Sequence, residues 1–280
     1  MYWKNGQGVT INVGGKKLEA FCYGPRPQDK PTIVMLHEGL GCAALWRDLP
    51  KRLVEQTGYG VFVYSRAGYG ASDPADLPRP LDYMTREAVD VLPKLLEYIG
   101  FQAGVLLGHS DGASIATLYA GSLEDLRIRG LILIAPHFFT EPVSIKSIAD
   151  AKQAYETGSL KDSLSKYHVN VDNAFYGWND AWLDPEFASW NIGDAIDHLR
   201  IPVMGIQGRN DQYGTLAQIE ELSERLYSPF DQVVIEKCGH APHIEKPEET
   251  LRACSDFINR LDRIEKEVVE VITGRALDDA

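Results

Sequence analysis

The stretch Val105-Leu106-Leu107-Gly108-His109-Ser110-Asp111-Gly112 centres a serine in Gly108-His109-Ser110-Asp111-Gly112, which fits G-x-S-x-G. That pattern describes a sharp turn from a strand into a helix, lifting a serine hydroxyl above the edge of a sheet. Its flanks suit the turn. Gly104 to Leu107 is an apolar run that reads as a buried strand, and Ala113 to Ala120 reads as a helix. His109, Ser110 and Asp111 are the three residue types of a catalytic triad, yet as chain neighbours their side chains point apart. A triad needs the imidazole between the hydroxyl and the carboxylate. The partners of Ser110 must come from elsewhere, and His109 is expected to pack or hydrogen-bond locally.

Outward from this turn the chain alternates. Two short strands, Val9 to Val13 and Lys17 to Tyr23, flank Gly14-Gly15 and read as an opening hairpin. Apolar strand candidates follow at Thr32 to Leu36, Gly60 to Tyr64, Gly104 to Leu107, Leu131 to Ala135, Val203 to Gln207 and Gln232 to Ile235. Segments of helical period, such as Met84 to Ile99, separate most of them. The reading is an α/β fold, a mainly parallel sheet with helices on both faces. Between Ala135 and Pro202 no strand is legible. An aromatic helical stretch there carries Phe138, Tyr155, Phe175, Trp178, Trp182 and Trp190 among others. It is expected to be a cap inserted after the sixth strand, spanning 139–199, with 1–138 and 200–280 forming the core. Its aromatic residues serve either a ligand pocket or the cap's own packing.

Two later loops supply a carboxylate and then a histidine, in the order Ser, Asp, His. The strand at Val203 to Gln207 leads into Gly208-Arg209-Asn210-Asp211-Gln212-Tyr213-Gly214. The strand at Gln232 to Ile235 leads into Lys237-Cys238-Gly239-His240-Ala241-Pro242-His243. Both loops lie at carboxyl ends of strands, where open α/β sheets place their ligands. Asp211 could equally be a turn-forming residue. His240 has a rival in His243, although Gly239 gives the backbone before His240 the freedom of a protruding loop. Metal binding finds little support. The histidine pair lacks a third ligand at suitable spacing, and His37-Glu38 does not begin H-E-x-x-H because Gly41 occupies the second histidine position.

The chain resembles the α/β-hydrolase superfamily over essentially its full length. The resemblance rests on GHSDG at the elbow, GRNDQYG, CGHAPHIEKPEE, LHEGLG after the first parallel strand and YSRAGYGASD after the next. It implies Ser110 as nucleophile, His240 as base and Asp211 as the acid that orients it. It also implies an oxyanion hole made of the backbone N–H groups of Gly39 and Asp111. The family usually shows His-Gly where this chain has His37-Glu38. The resemblance implies cofactor-independent hydrolysis of a small apolar or aromatic ester or lactone through an acyl-enzyme, and also admits hydrolysis of a carbon–carbon bond. The expected substrate contacts are Glu38, Phe138, Trp178 and Trp182. A dinucleotide reading competes, because Gly39 to Ala44 fits G-x-G-x-x-A and Arg66 follows the next strand where an NADP site holds its 2′-phosphate. A non-catalytic ligand receptor on the same scaffold is a further alternative.

Composition narrows the partners. A net charge of −12 opposes binding to nucleic acid or to an anionic membrane surface. No apolar run reaches membrane-spanning length. Cys22, Cys42, Cys238 and Cys254 form no C-x-x-C pair, and the start of the chain lacks a signal-peptide apolar core. Free thiols and a cytoplasmic location are therefore expected.

Overall fold

The Gly14-Gly15 pair adopts φ of +60° and +83°, and it closes a two-residue hairpin in which Val13 faces Lys16. Both central residues of such a turn need positive φ, which glycine takes without a Cβ penalty. The structure is a computed structural model that describes the backbone of residues 3–277 and the side chains of residues 3–267. The hairpin strands are β1 (Gly8–Val13) and β2 (Lys16–Tyr23). Six more follow: β3 (Thr32–Leu36), β4 (Gly60–Tyr64), β5 (Gly104–His109), β6 (Ile128–Ile134), β7 (Val203–Gly208) and β8 (Phe230–Ile235). Among the described residues these form one sheet in the order β1-β2-β4-β3-β5-β6-β7-β8. Only the β1/β2 and β2/β4 pairs are antiparallel.

Every residue of β3, β4, β5 and β7 is buried, as strands covered on both faces must be. Their side chains alternate between two cores. Val34, Leu36, Phe62 and Leu106 enter one, and Ile33, Met35, Val61, Val105 and Leu107 enter the other. The second core is closed by α1 (Leu49–Thr57) through Leu49 and Leu53, and by α11 (Pro247–Leu277) through Leu251, Phe257, Ile258 and Leu261. The first is closed by helices in the 83–99 region and by α4 (Asp111–Ser122). The single helix expected over Met84 to Ile99 is divided. Its parts are α2 (Tyr83–Arg86), a π-helical segment at Glu87–Val91, and α3 (Leu92–Ile99). Pro93 explains the division, because it has no N–H for the carbonyl one turn back and its ring crowds that carbonyl.

Between β6 and β7 run α5 (Pro142–Glu156), α6 (Ser159–Leu164), α7 (Val171–Trp182) and α8 (Gly193–Asp197). Part of the aromatic content there packs against itself. Tyr155 stacks on Phe175 with ring centroids 3.7 Å apart, and Phe187 stacks on Trp190 at 5.2 Å. The remaining helices are α9 (Ala217–Arg225) and α10 (Pro242–Glu245). Among the described residues no helix is long and apolar enough to cross a membrane. The four cysteines are free and buried.

The contact of α4 with the sheet depends on Gly112. A Cβ there would lie 2.0 Å from the carbonyl oxygen of Leu36 and 2.7 Å from that of His37. These are backbone atoms in the strand that carries the loop after β3, so they cannot swing aside. Gly112→Ala is expected to cost the upper end of the ~1–3 kcal/mol typical of overpacking, or more. Urea unfolding of the purified variant measures it, and an unchanged midpoint would contradict the close packing.

Candidate active site

Ser110 has φ +53° and ψ −120°, a conformation that non-glycine residues seldom hold. Ala135, just past β6, and Lys237, just past β8, likewise have positive φ of 45° and 52°. Backbone strain thus collects at the carboxyl end of the sheet, where loops from several strands converge. Gly108 and Gly112 permit the elbow. A Cβ on Gly108 would lie 2.3 Å from the carbonyl oxygen of Gly112.

Three of the expected residues meet there. Ser110 Oγ is 2.9 Å from His240 Nε2, and His240 Nδ1 is 2.8 Å from Asp211 Oδ2. The hydrogens follow from the chemistry. Burial raises the pKa of Asp211, but the electrostatic attraction and hydrogen bond of the His240 ring and the N–H of Tyr213 outweigh that and hold it below the usual carboxylate range. An ionised carboxylate only accepts, so Nδ1 of His240 carries its hydrogen, leaving the Nε2 lone pair to accept from the serine hydroxyl. Asp211 is held on all sides. Oδ1 accepts from the N–H groups of Tyr213 and Gly214, and Oδ2 also accepts from Gln207 Nε2. The turn-forming role and the histidine-orienting contact therefore occur in one side chain.

The loop after β3 is pinned from below. Arg66, with no exposed surface, donates to the carbonyls of His37 and Glu38. His37 Nδ1 donates to the carbonyl of Glu38 at 2.7 Å, and Nε2 accepts the N–H of Arg66 at 3.0 Å. That pattern is the neutral ring, and burial with the nearby Arg66 charge depresses the pKa of His37 well below the ordinary imidazole value. Arg66 is thereby occupied. Gly39 to Ala44 leads only into a short 3₁₀ turn at Ala43–Trp46, so these residues do not form the dinucleotide arrangement. The N–H groups of Gly39 and Asp111 are not used in the turns around them.

A cavity of about 110 Å³ opens beside Ser110 and His240. That is well under the ~300–1,000 Å³ of pockets for drug-sized ligands, so it suits a small group. Trp178, Trp182, Ile148, Leu40 and Tyr213 form its apolar wall, and Glu38, Asp111 and His137 its polar part. Gly39 lets Trp178 approach, since a Cβ there would sit 2.2 Å from the indole Nε1. Of the expected substrate contacts, Glu38, Trp178 and Trp182 line this space. Phe138 is fully buried in the core, and the wall at that point is its neighbour His137.

His137 escaped the sequence reading, although its place just beyond β6, at the ligand-binding end of the sheet, was a usable signal. Burial holds its pKa down at about 3. Tyr213 and Ile148 gave no signal. His243, the rival of His240, is buried against Trp46 and His109, with ring centroids 4.8 Å from each. Asp111 is buried too. Its Oδ2 accepts from Tyr83, and burial raises its pKa. His109 is buried and packs against Trp46 and His243, but its hydrogen bond is distant in sequence, because its Nε2 donates to the carbonyl of His240, 131 positions along the chain.

A positive-φ serine above the carboxyl end of a parallel sheet, in line with a histidine and a carboxylate, is the arrangement of a hydrolase. Residues 33–253 match the alpha/beta hydrolase family, and the chain belongs to it. A monoacylglycerol lipase of Xenopus laevis is 23% identical over 93% of this chain and 85% of its own length. A pimeloyl-[acyl-carrier protein] methyl ester esterase of Aeromonas hydrophila is 26% identical over 81% of this chain and 95% of its own. The solved structure of an esterase from Exiguobacterium antarcticum superposes with a TM-score of 0.73 at 18% identity, covering 90% of this chain and 99% of that one.

Proposed function

We propose that this chain hydrolyses a small carboxylic ester or lactone through an acyl-enzyme on Ser110. The observation that carries the reading is the unbroken line from Asp211 through His240 to Ser110, at 2.8 and 2.9 Å. In the first step His240 Nε2 takes the serine proton while Oγ bonds to the substrate carbonyl carbon. The carbonyl oxygen becomes an oxyanion, received by the N–H groups of Gly39 and Asp111. Collapse breaks the bond to the leaving alkoxide, which takes the proton from His240, and the acyl group stays on Ser110. Water then attacks the acyl-enzyme by the same route, releasing the acid and restoring the serine. The small aromatic-walled cavity favours a short apolar or aromatic acyl group, and the helices from α5 to α8 act as a lid carrying Trp178 and Trp182. The esterase and lipase relatives are consistent with this substrate class.

The test is a fluorophosphonate probe together with a panel of short esters, lactones and a cleavable diketone. A serine reacts with such a probe only when a base and oxyanion donors act on it together. Labelling is expected at Ser110 alone, abolishing ester turnover in proportion, and it should fail in Ser110→Ala. Turnover confined to the diketone would replace ester hydrolysis by carbon–carbon bond hydrolysis. A native protein that is neither labelled nor active on any member would point to the receptor alternative.

A further inference from the structure

Glu38 lies in the loop after β3, and its side chain enters the catalytic cavity. Its Oε2 is 3.3 Å from Nδ1 of His109, whose Nε2 lies 2.7 Å from the carbonyl oxygen of His240. A carbonyl can only accept, so Nε2 of His109 bears a hydrogen. Nδ1 then faces a carboxylate, and that contact is attractive only when the pair shares one further proton. Burial opposes a charged ring at His109 and opposes ionisation of Glu38, but their mutual attraction prevails in both, raising the pKa of His109 and lowering that of Glu38. The proton therefore sits on the ring, giving an imidazolium–carboxylate pair. The other titratable groups facing His109 are His240 and His243, with ring centroids at 5.1 and 4.8 Å, and the charge of Asp211 lies beyond.

The carboxylate is left with capacity. An ionised carboxylate offers about four acceptor sites. The contact with His109 uses at most one of them, and no other described residue donates to the carboxylate oxygens of Glu38. Its side chain is 19% exposed while that of His109 is 2% exposed, and the exposed part opens on the cavity that also holds Gly39, Leu40 and Ser110. Gly41 makes room for it, because a Cβ there would lie 2.2 Å from Oε2. The position matters because Glu38 immediately precedes Gly39, whose N–H faces the scissile carbonyl in the proposed reaction. The occupant's chemistry follows from charge. The pair is neutral as a whole and so draws no free cation strongly, its cavity-facing oxygens repel an anion, and a neutral hydroxyl hydrogen fills an unused acceptor.

We propose that Glu38 determines specificity by accepting a hydrogen bond from a hydroxyl on the acyl group near the scissile carbonyl, with His109 positioning its carboxylate. The preferred substrates are then hydroxy-substituted short acyl esters. This inference rests on the ester-hydrolase reading of the site.

The test uses the full chain and p-nitrophenyl esters of butyrate, 2-hydroxybutyrate, 3-hydroxybutyrate, their methoxy analogues and the succinate half-ester. Each kcat/KM is divided by the rate of alkaline hydrolysis of the same ester, and active enzyme is titrated with the fluorophosphonate. At least one hydroxy ester is expected to exceed butyrate by roughly 10- to 100-fold, the range of a hydrogen bond to a charged group. Its methoxy analogue should lose that advantage, and the succinate half-ester should fall below butyrate. In Glu38→Gln and His109→Gln the ratio of hydroxy ester to butyrate should shrink to a few-fold or less, and within each variant this ratio is independent of how much enzyme is active. The wild-type comparison of hydroxy with methoxy ester needs no variant at all. Ratios near one in the wild type, or a preference that survives Glu38→Gln, would overturn the proposal while leaving the hydrolase reading intact. Loss of both labelling and all ester turnover would overturn the two together.

Discussion

Ser110→Ala, Asp211→Asn and His240→Ala are each expected to lower kcat/KM by about 10⁴-fold or more, and the triple variant by little more than the worst single one. The reason is that each residue has work only while the others are in place. Without Ser110 the base has no proton to take, and without His240 the hydroxyl stays a weak nucleophile. Asp211→Asn is the most informative of the three. The asparagine could still accept from Tyr213 and Gly214 through its amide oxygen, as Oδ1 does now. Its NH₂ would then face Nδ1–H of His240 and Nε2 of Gln207, both donors toward that position. The imidazole would turn to the tautomer with its hydrogen on Nε2, which cannot accept from Ser110. In contrast, Asp111→Asn should keep most of the rate, because the bond from Tyr83 needs only an acceptor and the proposed reaction uses only the backbone of Asp111. Steady-state kinetics at matched concentrations of folded protein decides the matter. Losses that multiply in the double and triple variants would show that the three do not act as a unit.

The elements that carry a local signal were legible in the sequence. Gly14-Gly15 marks a turn that only glycine takes easily, and the hairpin closes there. The buried strands β3, β4 and β5 read as apolar runs because both of their faces are covered. Strand starts were less clear. β6 begins at Ile128, three residues before the apolar run, because Arg129 and Gly130 interrupt the pattern, and β8 begins at Phe230 on a half-exposed edge. The triad candidates could be read because their order and their places at strand ends are properties of the chain. The aromatic residues between β6 and β7 could not be sorted by sequence, since stacking of Tyr155 on Phe175 and exposure of Trp178 to the cavity depend on helix rotation. The link from Glu38 through His109 to His240 was equally hidden. It joins the loop after β3, the end of β5 and the loop after β8, which are distant in sequence, and nothing local to His109 points to a carbonyl beyond β8.

Acidification should unfold the protein partly through its buried histidines, and His243 allows one of them to be isolated. Burial depresses the pKa of His137 and His243 to about 3 each. His37 and His168 are also lowered by burial. Between pH 6.5 and 3 the unfolded chain binds protons at His137 and His243 that the folded chain refuses, so stability rises with pH and is lost as pH falls. From pH 6.5 to 4.5 His137 and His243 each remove about 2 kcal/mol, against ~5–15 kcal/mol for a whole domain. Other groups modify the total. Burial raises the pKa of Glu87 and of Asp111, so above the ordinary carboxylate range the folded state holds protons that the unfolded state has lost, and their contribution to stability grows as pH falls. The raised pKa of His109 contributes stability below the ordinary imidazole value that is lost as pH rises above it, so it lies outside this window. A difference measurement removes these shared contributions. Among the described residues neither ring nitrogen of His243 has a hydrogen-bond partner, so His243→Leu forfeits no hydrogen bond seen there and keeps an apolar side chain of similar size between Trp46 and His109. Urea unfolding of both proteins at pH 6.5 and 4.5 should show the variant gaining about 2 kcal/mol on the wild type as the pH is lowered. Parallel stability curves over that interval would mean that His243 protonates as readily in the folded protein as in the unfolded chain, which its burial forbids.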